Sequence, residues 1–183
     1  MAYTVKALNT ENIRQWAPTL SCGDEILLSG VVYTARDAAH KKIALMLQNG
    51  KELPFPLKDS VIYYAGPTPA KEGRVCGSFG PTTSGRMDCY PQLFDNGLAA
   101  AIGKGDRNEV IAQALKRNGS IYLIAIGGAG AVAAKHIASC EEIAFAELGC
   151  ESVKRLEFRD FPLIVAIDTR GGNVYRSRDR ERL

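Results

Sequence analysis

Glu25-Ile26-Leu27-Leu28-Ser29-Gly30-Val31-Val32-Tyr33 runs without a break into Thr34-Ala35-Arg36-Asp37-Ala38-Ala39-His40. The first run is short, apolar and partly β-branched, and reads as a strand. From Arg36 to Gln48 the pattern becomes helical, and Asn49-Gly50 stops it, because both residues tolerate the left-handed backbone that ends helices. Thr34, with Asp37 three residues on, is the expected N-cap, which places Arg36 in the first helical turn. The same strand-to-helix step recurs. Further strands are expected at Ser60 to Ala65, Ile121 to Ile126, Glu142 to Ala146 and Leu163 to Ile167. Further helices are expected at Thr10 to Ala17, Arg86 to Asn96, Arg107 to Asn118 and Ala131 to Ser139. Alternation of this kind predicts a mixed α/β domain with crossover connections.

A chain of 183 residues that is 46% hydrophobic suits one domain with a substantial core. The tail from Arg176 to Arg182 is a run of mixed charge, expected to be solvated or to touch a partner. The net charge of +3 comes from 23 basic and 20 acidic residues, so nothing suggests the concentrated basic face of a nucleic-acid binder. The longest apolar run, Ile121 to Ala134, is interrupted by Gly127, Gly128 and Gly130 and is too short for a membrane span. Met1 to Lys6 lacks the apolar core of a secretory signal, and the expected location is the cytoplasm. Cys22, Cys76, Cys89, Cys140 and Cys150 are odd in number and widely spaced, which predicts neither a disulfide framework nor a metal site made by this chain alone.

The chemistry concentrates in Gly80-Pro81-Thr82-Thr83-Ser84-Gly85-Arg86-Met87-Asp88. A Gly-Pro turn frees backbone amides, three hydroxyls follow, and an arginine can hold a carboxylate through two parallel bonds: the loop is built for an anion. Arg36 and Gly103-Lys104-Gly105 add cations at other backbone corners, so the expected ligand carries more than one negative group. Arg36 would contact the ligand or pair with a local carboxylate. Asp37 can lock its guanidinium, and His40, four residues after Arg36, can carry a proton or simply pack. Thr82 and Thr83 bind an anion, transfer a proton or satisfy the turn; a threonine base needs nearby cations and exclusion of water. His136 has no evident chemical partner. A competing reading takes Gly128-x-Gly130-x-x-Ala133 as a dinucleotide loop, with Glu147 or Glu151 as the ribose-binding acid.

Ser29 to His40, Tyr64-Ala65-Gly66-Pro67, the Gly80–Asp88 loop, Gly103-Lys104-Gly105, Gly127-Gly128 and Ile167-Asp168-Thr169 occur in one order. Together they resemble the iron–sulfur-dependent class I fumarate hydratase and L-tartrate dehydratase family, specifically its β subunit, over residues 1–175. The resemblance implies a layered β/β/α swivelling domain, with residues 176–183 as a charged tail. It implies a hydro-lyase interconverting malate and fumarate, with Thr82 as catalytic base and Arg36, Arg86, Lys104 and Thr83 binding the dicarboxylate substrate. Asp37 and His40 support them. A 4Fe-4S cluster, serving as Lewis acid for the substrate hydroxyl, is implied on a partner α subunit in a heterotetramer of two α and two β chains. Gly85 and Asp88 depart from the bulky residue and Glu usual in the tartrate branch, and Ala35 and Ala38 stand where that branch tends to carry cysteines. Fumarate is therefore preferred over tartrate or another hydroxy-diacid. A non-catalytic anion-binding assembly module is the reading of a different class.

Overall fold

The computed structural model describes residues 5–70, 72–126 and 130–176. Strands β1 (Lys6–Asn9), β2 (Glu25–Thr34), β3 (Val61–Tyr63), β4 (Ala100–Gly103) and β5 (Ile121–Ile124) pair in that order, each parallel to the next. Two antiparallel strands complete the sheet: β6 (Ile137–Ala144) and β7 (Val153–Ile167). β7 pairs with β5 and also with β2, so the pairings through β2, β3, β4, β5 and β7 return to their start. The helices are α1 (Ile13–Trp16), α2 (Asp37–Gln48), α3 (Gln92–Asp95), α4 (Glu109–Arg117) and α5 (Gly130–Ala133). Crossovers through α2 and α4 make the β2–β3 and β4–β5 steps parallel, as the sequence pattern predicts.

The circuit closes because its two longest strands bend at the same place. The β2–β7 register shifts between Leu28 and Gly30, and opposite it Asp160 adopts φ 47°. Ser29 Oγ accepts from the Asp160 amide at 3.0 Å and donates to its carboxylate at 3.3 Å, stapling the bend. The irregularity shifts the phase of β7: Leu156 and Phe158 point to the core before it, Phe161, Leu163 and Val165 after it. Gly30 has φ +103°, and a Cβ there would lie 2.3 Å from Thr10 Oγ1. Only glycine fits both the backbone and the space.

Two cores result. One lies between strand faces: Ile26, Leu28, Val32, Tyr63, Ile102, Leu123, Phe158 and Phe161 meet there, and Ile13 and Trp16 of α1 pack against them. The other joins the opposite strand faces to helices, setting Ile62, Ala101 and Tyr122 against Ile43 of α2 and Ile111 and Leu115 of α4. Asn108 caps α4 by accepting from the Ile111 amide at 2.9 Å, and Lys116 and Arg117 sit in its last turn, favourable to the helix dipole.

Several expected boundaries move. Thr34 does not cap α2. It ends β2, buried, with its hydroxyl accepting from the Lys154 amide at 3.0 Å, and Arg36 itself occupies the cap. The helix expected at Thr10 to Ala17 is α1 between two 3-10 turns. Arg86 to Asn96 splits at Pro91 into a 3-10 turn over Ser84–Met87 and the short α3. The helical segment expected at Ala131 to Ser139 gives way to β6 at Ile137. Gly127 and Gly128 lie outside the described residues, as do residues 177–183 of the tail; Arg176 is tied to Glu109 of α4 at 2.6 Å. Among the described residues no helix is long and apolar enough to cross a membrane.

Gly30→Ala is expected to destabilise the chain by more than about 1 kcal/mol, since it combines positive-φ strain with a steric clash. A urea unfolding midpoint compared with that of Gly23→Ala, where φ is +93° but a Cβ would meet nothing within 4 Å, isolates the steric part.

Candidate active site at the ends of the parallel strands

β2, β3 and β4 end on one side of the sheet, and the segments that follow them carry the residues singled out from the sequence. Arg36 follows β2, the Gly80–Asp88 loop is reached after β3, and Lys104 follows β4. In parallel α/β sheets the carboxyl ends of strands are where loops converge on ligands. Backbone bonds join the segments: the Thr82 amide donates to the Tyr64 carbonyl at 2.7 Å, the Ser84 amide to the Lys104 carbonyl at 3.1 Å, and Thr83 bridges Lys104 in parallel register. Gly66 packs against the 146–151 segment and Arg36: a Cβ on it would sit 2.5 Å from the Cys150 carbonyl oxygen and 3.1 Å from Arg36 Cδ, which explains the glycine in Tyr64-Ala65-Gly66-Pro67. A Cβ at Gly80 or Gly85 would meet nothing within 4 Å, so that face of the loop is open.

The two arginines are held lightly. Arg36 pairs with Glu151 at 3.3 Å, and Arg86 Nε with Asp37 at 3.1 Å. Asp37 therefore braces Arg86, not Arg36 as the sequence suggests, because at the cap the Arg36 side chain turns toward the 146–151 segment. The second oxygen of Glu151 accepts from the Ala38 amide at 3.0 Å and so serves the start of α2. Partly exposed pairs like these contribute about 0–1 kcal/mol, and an incoming carboxylate can displace them. Lys104 has no carboxylate partner among the described residues. Thr83, Arg86 and Lys104 are exposed, while Thr82 is half-buried.

Beneath this surface lies a pair that the sequence did not reveal. Arg107 and Asp88 are buried, with Nε and Oδ1 2.5 Å apart, and the second carboxylate oxygen accepts from the Asn108 amide at 2.6 Å. The guanidinium stands 5.3 Å from the Tyr64 ring centroid and 5.0 Å from that of Tyr122. Asp88 thus ties the hydroxyl loop to the start of α4, and any influence on ligand choice passes through the loop's shape. The one sequence signal was a charged residue ahead of an amphipathic helix, which ordinarily means only a solvated N-terminus. Arg36 Nε, His40 Nε2 and Arg107 Nη2 are three of the four buried side-chain polar atoms that lack a hydrogen-bond partner among the described residues. Their concentration at one end of the sheet marks a place where polar satisfaction has been given up for geometry.

The surroundings of His40 suit the packing role. It is 1% exposed, its ring packs at 5.1 Å from Tyr64 and 5.6 Å from Tyr90, and Nδ1 donates to the Arg36 carbonyl at 3.0 Å. Burial, opposed only in part by that bond, pushes its pKa down to about 4. The ring is neutral near neutral pH and anchors the first turn of α2. His136 packs against Phe161 and bonds the Arg159 carbonyl. Glu147 pairs with Lys42, and Glu151 serves Arg36, so neither ribose acid of the dinucleotide reading is free for that role.

The sequence profile of the family described as Fumarase C-terminus matches residues 3–178. The chain belongs to the Fumarase C-terminus family. Over 168 residues it is 42% identical to "Fumarate hydratase 2" of Leishmania major, an alignment that covers 90% of this chain and 30% of that protein. Over 152 residues it is 40% identical to "Fumarate hydratase class I, aerobic" of Escherichia coli strain K12, covering 81% and 28%. With "Putative L(+)-tartrate dehydratase subunit beta" of Methanocaldococcus jannaschii it shares 39% identity over 182 residues, covering 96% and 91%. The chain therefore spans 30% and 28% of these two fumarate hydratases, but 91% of the protein named as a separate β subunit.

The cysteines of this Fumarase C-terminus chain do not fit a cluster. Cys76, Cys140 and Cys150 border one hollow of about 370 Å³, yet no group of three His, Cys, Asp or Glu among the described residues is arranged to hold a metal ion. Burial raises the Cys76 thiol to about 11 and shifts that of Cys140 upward, so both are protonated in the metal-free chain.

The His40 pKa also predicts a pH dependence of stability. The unfolded ring takes its proton near 6.5 and the folded one near 4, so the unfolded chain holds more protons between those values. The contribution of about 3 kcal/mol is fully present above pH 6.5 and is lost as the pH falls toward 4. His40→Gln is expected to flatten urea midpoints across that window, though it lowers them at neutral pH. An unchanged slope would show that His40 is not the group responsible.

Proposed function

We propose that this chain is the β subunit of a hydro-lyase that reversibly converts malate to fumarate and water. The convergence of Arg36, Thr82, Thr83, Arg86 and Lys104 from three separate segments onto one open surface carries the reading. Two carboxylates need two cationic holders set apart. Arg86 offers a planar fork for one, Arg36 and Lys104 border the other, and Thr83 adds a hydroxyl. Thr82 Oγ1, held as the alkoxide by this positive field, takes the carbon-bound proton and becomes the neutral hydroxyl. Its backbone is fixed through Tyr64.

A hydroxyl base requires exclusion of water. Because Thr83, Arg86 and Lys104 are exposed here, this reading requires a cover from beyond the described residues, and we assign it to an α subunit. The cluster implied by the family resemblance does not fit this chain's thiols and is assigned to that covering α subunit, in an assembly of two α and two β chains in the cytoplasm. The mixed strand circuit, with one core between strand faces and one under helices, supports the β/β/α swivelling domain over residues 1–175. A second reading, L-tartrate or another hydroxy-diacid as substrate, is favoured by the near full-length match to the Methanocaldococcus jannaschii protein. Regulation or assembly through a non-catalytic anion site would leave Thr82 without a role.

Thr82→Val, assembled anaerobically with the partner, is expected to bind a dicarboxylate inhibitor but to lose turnover by about 10²- to 10⁴-fold, with Thr82→Ser recovering part of it. Thr83→Val is expected to be milder. A Thr82→Val enzyme within a few-fold of wild type in a fumarate absorbance assay would place the base elsewhere.

The chain purified alone is expected to carry no iron and to show no hydratase activity. Stoichiometric iron with visible cluster absorption in the isolated chain would refute the division of roles.

A further inference from the structure

Lys104 differs from the arginines of the site in that no carboxylate among the described residues orients it; its backbone sets where it stands. Each residue of Gly103-Lys104-Gly105 is held separately. The Gly103 carbonyl accepts from the Ala125 amide at 3.0 Å, and its Cα lies so close to Ser84 that a Cβ would fall 1.9 Å from Ser84 Oγ. The Lys104 amide donates to Ser84 Oγ at 3.1 Å, and its carbonyl accepts from the Ser84 amide at 3.1 Å. Gly105, at φ +79°, turns its carbonyl toward the Tyr122 hydroxyl, 3.0 Å away. That hydroxyl is also 2.8 Å from Ser84 Oγ. Two loops and β5 meet at one phenolic oxygen.

We propose that Tyr122 is a positioning residue for Lys104: its hydroxyl clamps Ser84 of the hydroxyl loop to Gly105, and so fixes where the lysine leaves the backbone. A carbonyl only accepts, so the phenolic proton goes to Gly105, and the phenolic oxygen is left to accept from the Ser84 hydroxyl. With its rotor set in that way, Ser84 Oγ turns a lone pair to the Lys104 amide. Both Ser84 and Tyr122 are fully buried, so water does not replace a lost partner. The ring has little freedom of its own. It packs in the core between sheet and helices, and the Arg107 guanidinium stands over its face at 5.0 Å. Arg107 is in turn held by Asp88, three residues after Gly85 in the same loop, so the clamp is anchored at both ends of the 3-10 turn over Ser84–Met87. The backbone of the Lys104 corner is thus determined before any ligand arrives, while its ammonium stays exposed to meet one. The catalytic part of this proposal rests on the assignment of Lys104 to a substrate carboxylate; the clamp itself does not.

Tyr122→Phe deletes one oxygen and keeps the ring. In the isolated full-length chain, amide hydrogen exchange at Lys104 is expected to quicken by about tenfold or more, the factor for loss of one ordered hydrogen bond. Ser84→Ala, which removes the acceptor directly, is expected to do the same, and thermal melting checks that both variants fold. In the assembled enzyme, Tyr122→Phe is expected to raise KM for the dicarboxylate about five- to tenfold with little change in kcat, and to have no further effect in a Lys104→Met background. Unchanged exchange at Lys104 overturns the clamp. An equal rise of KM in the Lys104→Met background overturns action through Lys104. Wild-type kinetics for Lys104→Met, with exchange quickened in Tyr122→Phe, overturns instead the carboxylate-binding assignment and leaves the clamp standing.

Discussion

The shared bend of β2 and β7 is the constraint from which the rest of the molecule follows. A strand pair as long as this one, left regular, twists steadily and cannot meet both β3 and β5. The shift at Ser29-Gly30, answered by Asp160 on the facing strand, lets the two halves of β7 serve different neighbours. One half runs beside the end of β2, where the Thr34 hydroxyl links Lys154 to the Ser152 carbonyl. That contact brings the 146–151 segment onto the start of α2, and Glu151 to Arg36 and the Ala38 amide. A glycine in the barrel wall thereby decides what an arginine at the site can touch.

The site is organised by burial. At the surface, Arg36 and Arg86 hold carboxylates in partly solvated pairs that contribute little to stability and yield easily. One layer down, the Asp88–Arg107 pair is shielded from water, and removing either partner would strand a charge at a cost of about 3–5 kcal/mol. The lower pair, with the two tyrosines stacked near it, fixes the backbone from which the upper groups project. Rigid support beneath exchangeable contacts is what a binding surface needs if it is to be preformed yet available.

Much of this was legible in the sequence. The run from Glu25 to Gln48 announced the strand and helix, Asn49-Gly50 stopped that helix where expected, and the ordered segments pointed to the residues that do converge. What escaped has physical causes. β7 hides its first half because the bend shifts the alternation and places Arg159 and Asp160 at the break. β4 is a run of small residues, Ala100-Ala101-Ile102-Gly103, too short to declare a period. Asp37 was assigned to the wrong arginine because sequence proximity favoured Arg36, whereas Arg86 reaches it from a loop nearly fifty residues away. Arg107 and Tyr122 looked ordinary since their importance lies in who surrounds them, which no spacing encodes.

The carboxylates of Asp37 and Glu151 give the ligand-free surface a property of its own. They occupy the forks of two arginines as internal counterions, so a cluster of three cations presents close to a single net charge. A chloride or a lone monoanion gains little by displacing a tethered carboxylate, because the tether supplies a high local concentration of competitor. A diacid that also engages the unneutralised Lys104 gains an attraction which the tethered groups do not satisfy. Under the proposed function, this resting state favours dianions over small monoanions before any shape matching begins.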